Sequence, residues 1–465
     1  MKRKTVTLCM IARDEEANIG GAIKSVLALV DEIIVADTGS SDNTAIIAEG
    51  YGARVIDVPW EDDFASARNR TLDMASGDWV LVLDADEFLQ SIRPVEFQRL
   101  LHDPGAAAYR VRVTDGTGSL LGGAGCRVRL FRNHPLLRFT YPVRENLEIG
   151  LGAYGRATGH RVLDSNLVVV NEGDTPHRLL AARERDQRIL RLVRETDPNE
   201  PYFAYLAGCN GLNLLDDDVL PTAGVRKALA DLGQAWQLAR KGQDRPATAP
   251  AWLPDLGCKL LGAHLAVGDT GAARSLGADL LDLYPHHCGV ILQAVAADLA
   301  RLAAISGARG SLEFRQASAR IESWLDRIDE LTPQPDTGDR ESRRRTLYPL
   351  RYRGELALLE GKVSEAVVMF EQALDLDPAY SFAWLGMAEC CRYAGDRKRA
   401  LKHYLHTVAQ CPDNHRAWLW GSRLMQEMDC PGNALTWWNR FCLQFPEHPA
   451  AGADHLPNLL ESTPA

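Results

Sequence analysis

The chain has 465 residues, with 52 Lys and Arg against 62 Asp and Glu, a formal charge of −10. At about 150 residues per domain that length suggests about three domains, and 46 % apolar with 25 % charged residues is the mixture of a globular chain, not a disordered one. The acidic balance argues against a nucleic-acid coat or an anionic-membrane binder, both of which need a basic face, and no apolar run reaches the roughly 18 residues needed to span a bilayer.

The basic opening Lys2-Arg3-Lys4 leads into an apolar run that stops at Arg13-Asp14-Glu15-Glu16, too early for a signal-peptide core. Strands and helices then alternate. Val6–Ile11 is a short apolar run, read as a buried strand. Ala17–Leu29 carries Ile19, Ile23, Val26 and Leu27 at helical spacing. Ile33–Ala36 is a second strand, and Thr44–Glu49 a helix with Ser41 or Asp42 placed to cap it. Arg54–Val58 is a third strand ended by Pro59, Asp63–Ala75 a helix, and Trp79–Leu83 a fourth strand. Alternation with continuous apolar strands predicts a parallel sheet covered on both faces. Between about 105 and 170 the strands become irregular, as in Arg127–Phe131 and Asn166–Val170, and suit an antiparallel extension of the same sheet.

From about 178 onward nothing reads as strand. Pro378, Pro412 and Pro446 are spaced by 34 residues, as are Ala366, Ala400 and Ala434. Trp384 and Trp418, and Gly361 and Gly395, keep the same spacing, and Phe370, Tyr404 and Trp438 each follow an alanine by four. That is the tetratricopeptide period, which predicts stacked helix pairs with the three aromatics in the core and the alanines where paired helices touch. A weaker copy ends at Pro285, with Gly268 and Ala273 at matching offsets. The Pro-rich stretch from Thr332 to Asp336, running on through Arg345, reads as a linker, and Gln243–Ala251 as a second loop. The division expected is an α/β domain over 1–195, a helical region with divergent repeats over 196–332, and tetratricopeptide repeats over 333–465. Ten cysteines without a CxxC pair or a His/Cys metal spacing, Cys390-Cys391 being the one vicinal pair, predict reduced thiols and a cytoplasmic setting.

Three acidic clusters follow predicted strands: Arg13-Asp14-Glu15-Glu16, Asp37 through Asp42, and Asp84-Ala85-Asp86-Glu87. Ligands of open parallel sheets bind beyond the carboxyl ends of the strands, so all three face one crevice. Asp84 and Asp86, two apart, fall on one side of an extended segment, a costly pairing unless a cation sits between them. Oxygen ligands suit Mg²⁺ or Mn²⁺, which keep positions for phosphate oxygens. The bland alternative is a polar exit from each strand.

Met10-Ile11-Ala12-Arg13-Asp14-Glu15-Glu16, Asp37-Thr38-Gly39-Ser40-Ser41-Asp42-Asn43-Thr44, Asp63-Phe64-Ala65-Ser66-Ala67-Arg68-Asn69 and Leu83-Asp84-Ala85-Asp86-Glu87 together resemble family 2 glycosyltransferases of the GT-A fold. Among these the sequence is most similar to the bacterial branch with tetratricopeptide repeats that includes the sublancin-type S-glycosyltransferases. The resemblance implies a GT-A, Rossmann-like domain followed by an all-α repeat domain. It also implies an inverting, metal-dependent transfer of sugar from a nucleotide-sugar, a UDP-sugar by the branch, to a peptide, protein or glycan. It places Ile11, Ala12, Arg13 and Glu15 at the nucleotide, with the backbone of Ile11 to Arg13 flanking the base. Asp37 falls on uracil, Arg68 on the helix that approaches the nucleotide, Asp84 on the ribose, and Asp86 on the Mn²⁺ or Mg²⁺ of the diphosphate. Glu145 falls on the catalytic base position after Arg129-Leu130-Phe131-Arg132.

Two positions depart from the pattern, which has histidine where this chain has Arg144 and Asn171; His177 is the next histidine. Arg68 has a second reading as an ion partner of Asp62 or Asp63, and Glu145 as a partner of Arg144 or Arg132. A catalytically impaired scaffold whose repeats bind a protein partner is the alternative function. A nucleotidyltransferase would carry a Gly-rich loop and Lys after the first strand, where Arg13-Asp14-Glu15-Glu16 stands. The repeats are expected to dock the acceptor or to join two copies of the chain.

Overall fold

A computed structural model describes residues 2–115, 126–171, 176–215, 218–241, 250–305, 307, 309–331 and 340–452, with the backbone alone at 176, 177, 179, 180 and 340–345. The chain divides into two compact units at Thr196/Asp197.

The first unit is α/β. Its elements are β1 (Val6–Ala12), α1 (Ile19–Val26), β2 (Glu32–Asp37), α2 (Thr44–Gly50), β3 (Arg54–Asp57), α3 (Phe64–Met74), β4 (Trp79–Val82), β5 (Glu87–Leu89), α4 (Pro94–Leu101), β6 (Ala106–Asp115), β7 (Cys126–Arg132), α5 (Glu148–Thr158), β8 (Arg161–Asn171) and α6 (Pro176–Thr196). One eight-stranded sheet runs in the order β3-β2-β1-β4-β7-β6-β8-β5. The strands β3, β2, β1 and β4 are parallel, as the alternation of strands with helices predicts. Alternation along each strand feeds both faces. Leu8, Met10 and Leu81 meet Ile19 and Ile23 of α1 on one side, while Cys9, Val80 and Val82 meet Ala65 and Leu72 of α3 on the other. Each aliphatic side chain buried this way contributes about 1.5–3 kcal/mol.

The extension beyond β4 is mixed. β7 is antiparallel to both β4 and β6, but β8 lies parallel to β6, with Ala106 opposite Arg161. The end of β7 lies beside the start of β6, and the segment with α5 carries the chain across β6 so that β8 pairs with its other edge, where a direct hairpin would have placed β8 against β7. The segment after β4 also differs from expectation. Asp84 to Glu87 is a turn, closed by Glu87 N to Asp84 O at 3.0 Å and by Asp84 N to Glu87 Oε2 at 3.0 Å. Asp84 and Asp86 therefore share a turn and not the side of an extended strand. The glutamate carboxylate three residues on offers the Asp84 amide a local partner that a straight chain would lack.

The second unit contains α7 (Pro201–Asn210), β9 (Leu214–Leu215), β10 (Asp218–Val219), α8 (Val225–Arg240), α9 (Leu253–Ala266), α10 (Thr270–Leu283), α11 (Cys288–Ala304), α12 (Leu312–Glu330), α13 (Arg340–Glu360), α14 (Val363–Leu376), α15 (Ser381–Tyr393), α16 (Arg397–Gln410), α17 (His415–Glu427) and α18 (Pro431–Gln444). The antiparallel pair β9–β10 corrects the reading that no strand follows residue 178; two residues per strand leave no alternation to read.

The 34-residue spacing is three helix pairs, α13–α14, α15–α16 and α17–α18. Phe370, Tyr404 and Trp438 are buried, as are Ala366, Ala400 and Ala434. A Cβ on Gly354 or Gly386 would come within 2.6 or 2.3 Å of the Phe370 ring, so the two glycines make the slot this aromatic fills. Each pair turns through a left-handed residue: Gly361 at φ 83°, Gly395 at φ 80° and, in the third, Asp429 at φ 59°. The residue after each donates back five positions, Lys362 N to Ala357 O at 2.8 Å, Asp396 N to Cys391 O at 2.9 Å and Cys430 N to Met425 O at 2.9 Å. That bond satisfies a helix-end carbonyl. The earlier pair α9–α10 turns the same way at Gly268, φ 83°, with Ala273 buried. Trp384 Nε1 donates to Pro378 O at 2.9 Å and Trp418 Nε1 to Pro412 O at 2.7 Å, so the Trp and Pro series record one recurring bond. Of the stretch read as a linker, residues 332–339 lie outside the described residues, while 340–345 are helical as the start of α13 and correct that part of the reading; most of the 243–251 loop also lies outside the described residues. Cys9, Cys390, Cys391, Cys430 and Cys442 are free thiols. No helix among the described residues is long and apolar enough to cross a membrane.

Candidate active site

Ala12 stands opposite Asp37 at the ends of β1 and β2, so the first two acidic clusters emerge together. Most of their carboxylates stitch the two loops. Asp14 Oδ1 accepts from Ser41 N at 2.8 Å, Asn43 N and Nδ2 donate to Glu16 at 3.1 and 2.9 Å, and Glu16 N donates to Asp42 Oδ2 at 3.0 Å. Asp42 Oδ1 also accepts from Thr44 N at 2.9 Å, but the cap position of α2 is held by Asn43 and not by Ser41 or Asp42 as expected. Asp37 Oδ1 accepts from Gly39 N at 3.0 Å and Ser40 N at 2.7 Å, a turn that Gly39 permits at φ 102°. The Ala12 carbonyl accepts from both Thr38 N (2.9 Å) and Thr38 Oγ1 (3.2 Å), and Ile11 pairs in register with Ala36. Arg13 is exposed, 3.8 Å from Asp14. Glu15 accepts from Asn18 Nδ2 at 2.7 Å and pairs with Arg178 of α6 at 3.1 Å.

The third cluster meets α3 and β7 in a buried ionic chain. Asp63 caps α3 by accepting from Ser66 N at 2.8 Å. Asn69 on the same helix takes both backbone groups of Phe139, each at 2.9 Å. Thr140 and Asn146 then close the loop between them, N to O at 2.9 and 3.2 Å. Within that loop Tyr141 (φ 73°) and Arg144 (φ 54°) are left-handed without being glycine, a costly conformation that packing must hold in place. The result delivers Glu145 to Arg68. Arg68 Nε donates to Glu145 Oε1 at 2.6 Å and Nη2 to Asp84 Oδ1 at 2.5 Å. Arg129 Nη2 donates to Asp84 Oδ2 at 2.9 Å and Glu87 Oε1 at 2.5 Å.

Glu145, Arg68, Asp84, Arg129 and Glu87 thus alternate in sign. Burial alone would raise the Asp84 carboxyl, but Arg129 and then Arg68 overcome it and hold it well below the usual carboxylate range. Asp86 lies outside the chain. Burial, reinforced by Asp84, Glu15 and Glu87, pushes its carboxyl up to about 6. Three carboxylates against two guanidinium groups leave one negative charge, and ionised Asp86 adds a second. Among the described residues no three His, Cys, Asp or Glu side chains converge to hold an ion. Asp86 with diphosphate oxygens fits Mg²⁺ or Mn²⁺, which bind through one or two carboxylates plus phosphates. Arg68 Nη1 and Arg129 Nε are buried without a hydrogen-bond partner among the described residues.

The alternative partners fall away. Asp62 pairs with Arg188 at 2.5 Å and Asp63 caps its helix, so neither holds Arg68. Arg144 pairs with Asp186 at 3.4 Å, and Arg132 donates to Ala106 O at 2.6 Å and Asp103 O at 3.1 Å, while Glu145 Oε1 accepts from Arg68. Asn171 ends β8 opposite Glu87, beside the Asp84–Glu87 turn. Residues 172–175 and the His177 side chain lie outside the described residues. Arg129 and Glu87 were not read from the sequence as site residues; both are buried, and a buried charge requires a partner.

Residues 7–158 match the family model described as Glycosyl transferase family 2. The first unit carries a glycosyl transferase family 2 domain. Residues 357–422 match the tetratricopeptide repeat model, inside the three helix pairs. A TPR repeat-containing protein of Synechococcus elongatus is 42 % identical over 146 residues, 31 % of this chain and 36 % of that protein. An uncharacterized glycosyltransferase of Rickettsia typhi is 42 % identical over 86 residues, 18 % of this chain and 29 % of that protein. The chain therefore spans about a third of the length of the curated relatives it matches. A crystal structure of glucosyl-3-phosphoglycerate synthase from Mycobacterium tuberculosis, in complex with Mn²⁺, uridine diphosphate and glucosyl-3-phosphoglycerate, is 24 % identical. That match covers 41 % of this chain and 79 % of that one, with a TM-score of 0.30. The buried ionic chain lies within the span matched to the family 2 domain.

Proposed function

We propose that the chain is an inverting glycosyltransferase that moves a sugar from a UDP-sugar to a peptide, protein or glycan acceptor. The observation that carries this reading is Arg68, bonded at once to Asp84 and Glu145 inside the family 2 domain. One buried cation links the donor-side carboxylate to the acceptor-side one. In this reading Asp37 hydrogen-bonds uracil, the backbone of Ile11, Ala12 and Arg13 flanks the base, and Glu15 lines the nucleotide pocket. Asp84 orients the ribose. Arg68 neutralises charge growing on the leaving nucleoside diphosphate as the sugar C1–O bond breaks. Asp86 is the protein ligand for Mn²⁺ or Mg²⁺, which when bound supplies further neutralisation of the diphosphate. Glu145 accepts the proton of the attacking acceptor. Arg68 engages Oε1, so Oε2 is the oxygen that takes it.

The division of labour follows the proposed domains. Residues 1–195 bind donor, 196–332 form a divergent helical region, and 333–465 supply repeats that dock the acceptor or join two copies. Ten scattered cysteines without a CxxC pair support a reducing, cytoplasmic setting. The test is a panel of nucleotide sugars scored for nucleoside diphosphate release, with UDP and GDP affinities measured with Mn²⁺ and with chelator. A UDP-sugar should be consumed, UDP should bind tighter with metal, and Asp86→Asn should remove that difference. Tighter GDP binding would reject the role of Asp37, and metal-independent UDP binding the role of Asp86.

A further inference from the structure

The strand β7 outruns β4 at the site. Their last pair is Leu130 opposite Leu81, so Arg129 and Arg127 lie past it, towards the Asp84–Glu87 turn. Arg129 holds that turn. Asp84 Oδ1 accepts from Arg68 at 2.5 Å and Oδ2 from Arg129 at 2.9 Å. Glu87 Oε1 accepts from Arg129 at 2.5 Å and Oε2 from Asp84 N at 3.0 Å. All four carboxylate oxygens are therefore taken, and a third guanidinium, that of Arg127, is left over. Among the described residues it makes no hydrogen bond and no ion pair.

The Arg127 side chain reaches solvent, yet the protein around its guanidinium, and then the Arg129 charge, push that group below its usual value. Arg144 pushes the same way, against Asp84 and Glu87. Like charges drawn together favour an opposite charge beside them, and a planar guanidinium takes a carboxylate or phosphate through two parallel hydrogen bonds. The two guanidinium groups on Asp84 also keep one buried N–H each without a partner among the described residues, Arg68 Nη1 and Arg129 Nε. The cluster thus carries more N–H groups than its own carboxylates fill. In the proposed transfer the diphosphate already has Arg68 and the cation at Asp86. The acceptor, approaching Glu145 through an acidic site, has no such partner, and Arg144, whose charge reaches Arg127, directly precedes Glu145 in the chain.

We propose that Arg127 receives an anionic group of the acceptor, a carboxylate or a phosphate, held beside the atom from which Glu145 takes its proton. The acceptor is an acidic molecule, and Arg127 selects it over a neutral one. This rests on the glycosyl-transfer reading and narrows its acceptor.

The probes are inorganic phosphate and acetate, titrated separately into the full chain saturated with UDP and Mg²⁺, with glycerol as the uncharged control. At least one anion should bind saturably, and the tighter of the two tells a phosphate-bearing acceptor from a carboxylate-bearing one. Arg127→Gln, which breaks no bond of the fold, should weaken that binding about 10-fold or more, the usual loss of a hydrogen bond to a charged group, while UDP affinity does not fall with it. The same change at Arg112, exposed on β6 opposite Cys126, should leave anion binding as it was. Unchanged anion binding in Arg127→Gln overturns the proposal. So does an equal loss at Arg112, which marks general surface charge, or an anion that competes with UDP, which belongs to the diphosphate position. A chain that binds no UDP sinks the glycosyl-transfer reading itself, whereas one that binds UDP but neither anion sinks only the role of Arg127.

Discussion

Arg68 and Glu145 are 77 residues apart in sequence and 2.6 Å apart in space. Glu145→Gln keeps a carbonyl oxygen for the Arg68 N–H, so the fold should survive with an unfolding temperature close to that of the parent. If Glu145 is the base, turnover should fall about 10²–10⁴-fold, the usual contribution of a positioned base, with UDP affinity nearly unchanged. A folded variant that turns over at the parent rate removes Glu145 from the chemistry.

Arg129 has no such conservative escape. Arg129→Met leaves Asp84 and Glu87 facing each other in the interior, and breaking a buried pair this way costs about 3–5 kcal/mol. Equilibrium unfolding in urea should show that loss, and the double variant with Glu87→Met should recover part of it. A single variant as stable as the parent would mean that water reaches this part of the sheet.

The third repeat carries a backbone penalty that the first two avoid. Asp429 occupies the left-handed position held by Gly361 and Gly395. Asp429→Gly should stabilise the repeats by about 1 kcal/mol, and Gly395→Ala should destabilise by about the same or slightly more. Thermal unfolding of the two variants should move in opposite directions. Movement in the same direction would contradict the strain assigned to the turn.

Acid should loosen the same region. Burial, then Arg423 and Arg416, hold His448 at about 4, against 6.5 for a free imidazole. Between those values the unfolded chain takes up a proton that the folded one refuses. The stability this neutral imidazole contributes is complete above 6.5 and is lost as pH falls from 6.5 towards 4. His415, pushed down by burial and then by Arg416 and His448, adds in the same direction. Summed losses of about 1–3 kcal/mol are expected, and His448→Gln should flatten the pH dependence of the urea midpoint across that window.

The parallel half of the sheet was legible because Leu8–Ala12 and Trp79–Val82 are apolar without interruption, which a doubly covered strand requires. The repeats were legible because a constant period shows even where each residue type is ordinary. The parallel course of β8 beside β6 was not, since a strand's own sequence does not encode its neighbour's direction. At the site, Asp84 and Arg68 stood out in motifs. Glu87 and Arg129 did not, because a buried pair is visible only once the chain brings residues 42 positions apart within hydrogen-bond reach. The Asp84–Glu87 turn was missed because spacing by two was read as extended backbone, while the deciding contact was local, from Asp84 N to Glu87 Oε2.

Asn69 grips both backbone groups of Phe139 one residue after Arg68 leaves the same helix. Rotation of α3 therefore carries the 139–146 loop with it, and Phe64 N, bonded to Pro142 O at 2.9 Å, fastens a second point of the same loop. Arg68 and Glu145 travel as one rigid lever. A movement that opens this pocket has to hinge elsewhere, and a substitution at Asn69 should loosen the spacing between the two charges before it changes the charge of either.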